Sequence, residues 1–172
     1  TKVKVVEYVI TTVEGMEAVK ATAQTAGGIY ELGANLDYTG VTPAGSFGNA
    51  ILDGCGYAIN NVTISASNGG GFFGNSSGAT TIKNLSFVNA VMNGGNHGLI
   101  YDITSDATTF DNVFVHVAND TATGHHGVVA RILNTNAGVI MNNCVVYYEN
   151  RSSSLSSGAG ALFGWGQNNS SL

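Results

Sequence analysis

The sequence predicts an all-β fold: a right-handed parallel β-helix, a β-solenoid of about four coils, with an N-terminal amphipathic capping helix. Three observations carry this reading. One motif is written four times between Tyr57 and Phe163. It reads Ile59-Asn60-Asn61-Val62-Thr63-Ile64, then Gly71-Phe72-Phe73-Gly74; Ile82-Lys83-Asn84-Leu85-Ser86-Phe87, then Gly98-Leu99-Ile100-Tyr101; Phe110-Asp111-Asn112-Val113-Phe114-Val115, then Gly127-Val128-Val129-Ala130; and Met141-Asn142-Asn143-Cys144-Val145-Val146, then Ala161-Leu162-Phe163-Gly164. Apolar and polar residues alternate within each copy, as in a half-buried strand. No run of helical period fits between the copies, and 24 Gly with the single Pro43 suit a chain of tight turns.

Each copy is too small to bury its own apolar face. Stacking copy on copy gives a continuous core, with strands pairing in parallel at about 4.8 Å. The recurring Asn falls at 61, 84, 112 and 143, steps of roughly 23 to 31 residues, in the solenoid range. Repeated at one position, Asn61, Asn84, Asn112 and Asn143 form a structural ladder of amide hydrogen bonds inside the wall.

Taken in order, residues 1–28 hold an N-terminal strand and the capping helix, and residues 29–172 hold the β-helix repeats of the same structural domain. Residues 1–10 alternate and are rich in Val. From 12 to 26, Val13, Met16, Val19, Ala23 and Ala26 are spaced three or four apart. Thr11 with Glu14 resembles a capping box, and Gly27-Gly28 is a stop signal. A strand follows over 29–36, then a loop with Pro43, and Asp53-Gly54 turns the chain into the repeats. The stretch from Asn to the next Gly lengthens (61–71, 84–98, 112–127), and the fourth copy carries Ser152 to Ser157. Insertions in solenoids gather on one face, often the binding face. The chain opens on Thr1 rather than Met and reads as a processed product or a piece of a longer chain.

The run Tyr30-Glu31-Leu32-Gly33 through Asp37-Tyr38-Thr39-Gly40, then Phe47, Leu52-Asp53-Gly54-Cys55-Gly56, the Asn61-Val62 strand and Phe72-Phe73-Gly74 resembles the GLUG-type repeat region of bacterial surface and adhesin-like β-helix proteins. The resemblance covers about residues 28 to 164. It implies a β-helical stalk or adhesive region of an exported protein. Such repeats also flank the protease domain of some IgA-cleaving metallopeptidases. Cys55 stands where the family has an Asn-like residue, and two copies lack the final Gly.

Charged residues are a tenth of the chain, with a formal net charge of −5. The six Lys and Arg are scattered, which argues against nucleic acid and an anionic membrane surface. No segment is apolar enough for membrane insertion, and none reads as a signal peptide. Cys55 and Cys144 lie about three rungs apart, near 14 Å, beyond disulfide reach, so both read as free thiols.

His97 and His126 each precede the Gly of their copy, with His125 beside them. Three imidazoles could hold a transition metal, but no carboxylate recurs at matching spacing, so they read as exposed turn histidines, available for binding. Tyr147 and Tyr148 beside Glu149 and Asn150 form the aromatic patch best suited to a sugar, with one ring of the pair expected in the core. Trp165 and Tyr101 are further aromatic candidates. Asp102, Asp106, Asp111 and Asp120 are the acidic cluster, yet they do not recur at equal positions as a paired-carboxylate hydrolase requires. There is no His-Glu-x-x-His, Gly-x-Ser-x-Gly or phosphate loop.

The function expected is a non-catalytic, extracellular or cell-surface module, or a component of a phage or bacterial appendage. It engages a glycan or protein ligand through its loop face, needs no cofactor or metal, and can continue or self-associate through its ends. The alternatives are a fragment of a polysaccharide-degrading β-helix enzyme and a purely structural spacer or assembly subunit.

Overall fold

The computed structural model describes residues 5–65, 70–76, 78–104, 107–133, 138–151 and 159–166. The described residues are mostly strand with one helix, and every strand pairing among them is parallel. The large sheet runs in the order Tyr8–Ile10, Ile29–Leu32, Ile51–Asp53, Thr80–Asn93, Thr108–Thr121, Val139–Asn142, with Leu36–Asp37, Ala58–Asn60, Thr63–Ser65 and Val145–Tyr148 extending it sideways. A second sheet orders Asn75–Ser76, Tyr101–Thr104, Ala130–Leu133 and Phe163–Gly166. His97–Gly98 and His126–Gly127 form a third, two-stranded one. This is a parallel-β-helix-like arrangement.

Alternation along each strand sends one set of side chains between the sheets. Leu52, Ile82 and Phe110 fall in one register column of buried residues. Rings pack edge to face through the middle, Tyr38 on Phe72 at 4.9 Å and Phe72 on Phe73 at 4.7 Å. The Tyr101 hydroxyl, fully buried, donates to the Phe47 carbonyl at 3.0 Å.

The recurring asparagines sit at corners, and their backbone explains the residue type. Asn61, Asn84, Asn89, Asn112 and Asn143 all have φ between 50° and 58°, the left-handed region that Asn tolerates better than other residues with a side chain. Four of them, Asn61, Asn84, Asn89 and Asn112, form two hydrogen-bonded columns rather than one. Asn112 donates to Asn84 at 3.0 Å, and Asn84 to Asp53 at 3.0 Å. Asn89 donates to Asn61 at 2.7 Å, and Asn61 to Asp37 at 2.9 Å. Asn61 therefore does not share a ladder with Asn84 and Asn112. By register, Ile82 pairs with Leu52, so the counterpart of Ile82-Lys83-Asn84 is Leu52-Asp53-Gly54. The step from 61 to 84 is the shortest because it joins two different corners. Asn89 is the extra residue of a bulge opposite His116. The corners lie at the surface, with Asn112 and Asn143 exposed, not inside the wall.

Each column ends on an aspartate. Burial acts to raise the Asp53 pKa, but hydrogen bonds from Asn84 and the Cys55 N–H, and the Lys83 ammonium at 3.0 Å, outweigh it and hold the carboxyl far below its usual range. A depressed carboxyl stabilises the fold above its ordinary pKa, and that stability drains away on acidification below about pH 4. Asn84→Ala should cost about 1–3 kcal/mol, by losing the bond to Asp53 and forcing alanine into the left-handed region. Asn84→Gly should cost less, because glycine keeps the backbone; urea midpoints measure both.

The helix α1 spans Val13–Ala26. Its cap is Thr12, not Thr11: Thr12 Oγ1 accepts from the Gly15 N–H at 3.1 Å. Met16 and Val19 are buried, and the side chains of Ala23 and Ala26 lie outside the described residues. Lys20 is buried too, which its charge did not foretell. Its Nζ lies 2.7 Å from Glu17 and 4.4 Å from the centroid of Phe72. Glu17 also accepts from the Tyr38 hydroxyl at 2.7 Å and the Ala44 N–H at 2.8 Å. Strand Tyr8–Ile10 pairs with Ile29–Leu32, while Leu36–Asp37 is a separate strand. Neither cysteine is in a disulfide; Cys55 is exposed and Cys144 packs against the core.

Candidate functional site

His97 and His126 are not exposed. They sit in register on adjacent strands, and neither has any accessible surface. The glycine that follows each one packs tightly against neighbouring backbone. A Cβ on Gly127 would lie 2.6 Å from the Leu162 carbonyl oxygen and 2.7 Å from Phe163 Cα, and one on Gly98 would meet the Tyr101 carbonyl oxygen and, at 2.9 Å, Ala130 Cα. Neighbouring backbone thus presses on this column at its glycines, while the imidazoles are enclosed by groups of their own turns. His97 Nε2 lies 3.1 Å from the carbonyls of Asn93 and Gly94. His126 Nδ1 lies 3.0 Å from the Gly124 carbonyl, so it carries the proton. Nε2 lies between Arg151, at 3.5 Å, and Asp120 Oδ2, at 3.6 Å. His125 is partly buried, with its backbone N–H on Asn96 Oδ1 at 2.7 Å. The three imidazoles do not converge as a binding or metal-ligating set.

Asp120 and Asp102 are engaged internally. Asp120 has no accessible surface. Its Oδ2 lies 3.3 Å from Arg151 Nε and 3.6 Å from His126 Nε2, and its Oδ1 takes the Ala122 N–H at 3.0 Å. Asp102 is clamped by two parallel bonds from Arg131, at 2.7 and 2.9 Å. Asp111 lies in register with Lys83 and Asn142, and the slot below Lys83 belongs to Asp53, not Asn60. Asp106 and the Ser152–Ser157 stretch lie outside the described residues.

Glu31, Asp53 and Cys55 place three donor atoms within 4.8 Å of one another, a grouping that residue spacing did not reveal. Here Lys83 already holds the cation position beside Asp53, and Asn84 and the Cys55 N–H take its other oxygen. A metal ion would have to displace an ammonium ion, so we assign none.

The pair Tyr147 and Tyr148 divides as alternation requires. Tyr148 turns inward. It packs on the core, donates its hydroxyl to the Ala161 carbonyl at 2.8 Å and lies under the Arg151 guanidinium at 5.0 Å. Burial pushes its phenol up to about 12, Arg151 opposing and Asp120 assisting. Tyr147 turns outward, with 54% of its surface exposed, and stacks on His116 at 5.4 Å between ring centroids and 26° between planes. The His116 ring is fixed from both ends: Nδ1 accepts the Asn89 N–H at 3.4 Å, so Nε2 carries the proton and donates to Glu149 at 3.0 Å. Asn150 is exposed, its amide donating to the Ala118 carbonyl at 3.2 Å.

Two neighbours complete this outer face. Phe114 pairs in register with Val145, and His116 with Tyr147. Phe114 and Val145 are both exposed. The face thus carries a two-by-two patch of Phe114, His116, Val145 and Tyr147. Phe114 went unnoticed as a site residue, and His116 reads from the sequence only as an outward-facing strand residue with no legible partner, although alternation after Asn112 (Val113 in, Phe114 out, Val115 in, His116 out) contained the signal. The Trp165 side chain lies outside the described residues, and Tyr101 is buried rather than exposed.

No protein-family model and no curated protein matches this chain. Its fold is similar to the crystal structure of a "putative immunoglobulin A1 protease" from Bacteroides ovatus, with a TM-score of 0.65 and 18% sequence identity. The match covers 92% of this chain and 52% of that one, so the chain spans about half the length of that protein. At this identity the likeness is one of fold.

Proposed function

We propose that this chain is a non-catalytic surface or fibre module that engages a glycan or protein ligand. In this reading its strands wind as a right-handed solenoid of about four coils, of the GLUG-like kind. Helix α1 closes the N-terminal end, and the module works outside the cell, on a bacterial surface or appendage. The observation that carries the proposal is the exposed Tyr147 ring, backed by His116 and flanked by Glu149 and Asn150. A planar aromatic held from behind, with a carboxylate and amide at its rim, is a ready-made platform for a sugar face. The ligand surface moves from the loops to the outer sheet face, because His97 and His126 are buried.

The enzyme alternative draws no support from Asp102 and Asp111, the first clamped by Arg131 and the second beside Lys83; a paired-carboxylate mechanism needs two free carboxyls at a set separation. The test is incubation with a panel of host and microbial polysaccharides, reading retention and new reducing ends together. The expected result is retention without cleavage. New reducing ends that disappear in Asp102→Ala or Asp111→Ala would overturn the proposal.

A further inference from the structure

We infer that the outer patch of Phe114, His116, Val145 and Tyr147 binds the face of a neutral polysaccharide and rejects polyuronates. This rests on the surface-module reading and names its ligand class.

The shape comes from the sheet. Adjacent parallel strands stand about 4.8 Å apart, and alternate residues on one strand about 6.6 Å apart. The four side chains therefore form a shallow shelf, not a pocket. Phe114, Val145 and Tyr147 are exposed by 39%, 55% and 54%. Exposed apolar groups gathered in register on one face mark an interaction surface more than scattered ones do. The equivalent positions on the preceding strands are small or aliphatic: Ser86 pairs with Phe114, and Ala58 with Ser86. The aromatic character is thus local to this end of the sheet. Tyr147 uses one face against His116 and makes no other ring or cation contact among the described residues.

The rim sets the chemistry. Asn112 and Asn143 are exposed at the corner bordering Phe114 and Val145, and Asn150 lies beyond Tyr147. Amides can both donate to and accept from hydroxyls. A pyranose offers C–H groups to a ring face and hydroxyls around its edge, which matches an apolar shelf with an amide rim. The charges beside the shelf are negative, Glu149 at one end and Asp111 on the Phe114 strand. The cations on this sheet and at its edge are held by partners: Lys83 by Asp53 and Arg151 by Asp120. With a net charge of −5 overall, this surface repels a polyanion and accepts a neutral chain.

Affinity electrophoresis tests this, with gels holding hydroxyethyl cellulose, galactomannan or polygalacturonate. The expected result is retardation by at least one neutral polymer and none by polygalacturonate. Tyr147→Ala should weaken that retention about tenfold or more, and Phe114→Ser should weaken it too. Both positions are exposed, so circular dichroism should be unchanged. Retardation by polygalacturonate alone would overturn the ligand class while leaving the surface-module reading intact. Neutral-polymer retention indifferent to both substitutions would overturn the shelf. Retention by none of the polymers would overturn the inference, and cleavage of any of them would remove the surface-module reading with it.

Discussion

Glu17→Ala should cost about 3 kcal/mol, the lower end of the loss on breaking a buried ion pair, because Lys20 is buried while Glu17 keeps 22% of its side chain exposed. Glu17 serves three donors at once: the Lys20 ammonium, the Tyr38 hydroxyl and the Ala44 N–H. Without it, Lys20 is a buried cation with only the Phe72 face for compensation. Lys20→Met should be near neutral, because Glu17 keeps its two other donors and methionine fills the space against Phe72. Urea denaturation of both variants measures the asymmetry. The same residue sets a pH signature. Burial lowers the Lys20 pKa from 10.5 to about 8, against the opposing pull of Glu17. Between these values the unfolded chain holds a proton that the folded chain has released, so stability rises with pH through that window. Above about pH 10 the trend reverses, because burial, and for Tyr38 the bond to Glu17, keeps the phenols of Tyr38 and Tyr101 protonated in the fold. A thermal melting series should show the rise in the native chain and not in Lys20→Met.

Gly98→Ala should destabilise by about 3 kcal/mol or more, at the upper end of overpacking costs. The added methyl would run into the Tyr101 carbonyl and the Ala130 backbone, and neither can swing away as a side chain would. Gly127→Ala meets the same obstruction from Leu162 and Phe163. Both substitutions should also expose the buried histidines beside them, seen as a gain in reactivity of His97 or His126 towards diethyl pyrocarbonate. By contrast, Gly40→Ala meets nothing within 4 Å, and its cost should be limited to that of a positive φ.

Much of the architecture was legible because it is written in period two. The strands at Thr80–Asn93 and Thr108–Thr121 follow from the alternation of Ile82, Leu85 and Phe87, and of Phe110, Val113 and Val115. The asparagines marked corners of the sheet, but one letter covered two jobs. Asn61 and Asn84 have the same backbone and different columns, and only strand register separates them. The inward turn of Tyr148 followed from alternation alone. The burial of His97 and His126 did not, because it depends on how each turn folds its own carbonyls back onto the ring, with Asp120 and Arg151 added at His126. Nor did the burial of Lys20, which lies on the apolar side of its helix, one residue after Val19. A charge there reads as solvated until Glu17, Tyr38 and Phe72 are seen to converge on it. His116 was legible as outward-facing, but its partners Glu149, Tyr147 and Asn89 come from other strands.

The central claim is that this molecule works through the outer face at Tyr147 and not through its histidines or carboxylates. Chemical-shift mapping with a retained neutral polysaccharide, cut to soluble oligomers, tests it most directly. The account predicts that the ring resonances of Tyr147, His116 and Phe114 move, with smaller shifts at the Asn112, Asn143 and Asn150 amides. Shifts confined to His125, Asp102 and Arg131, with the Tyr147 ring unmoved, would contradict it.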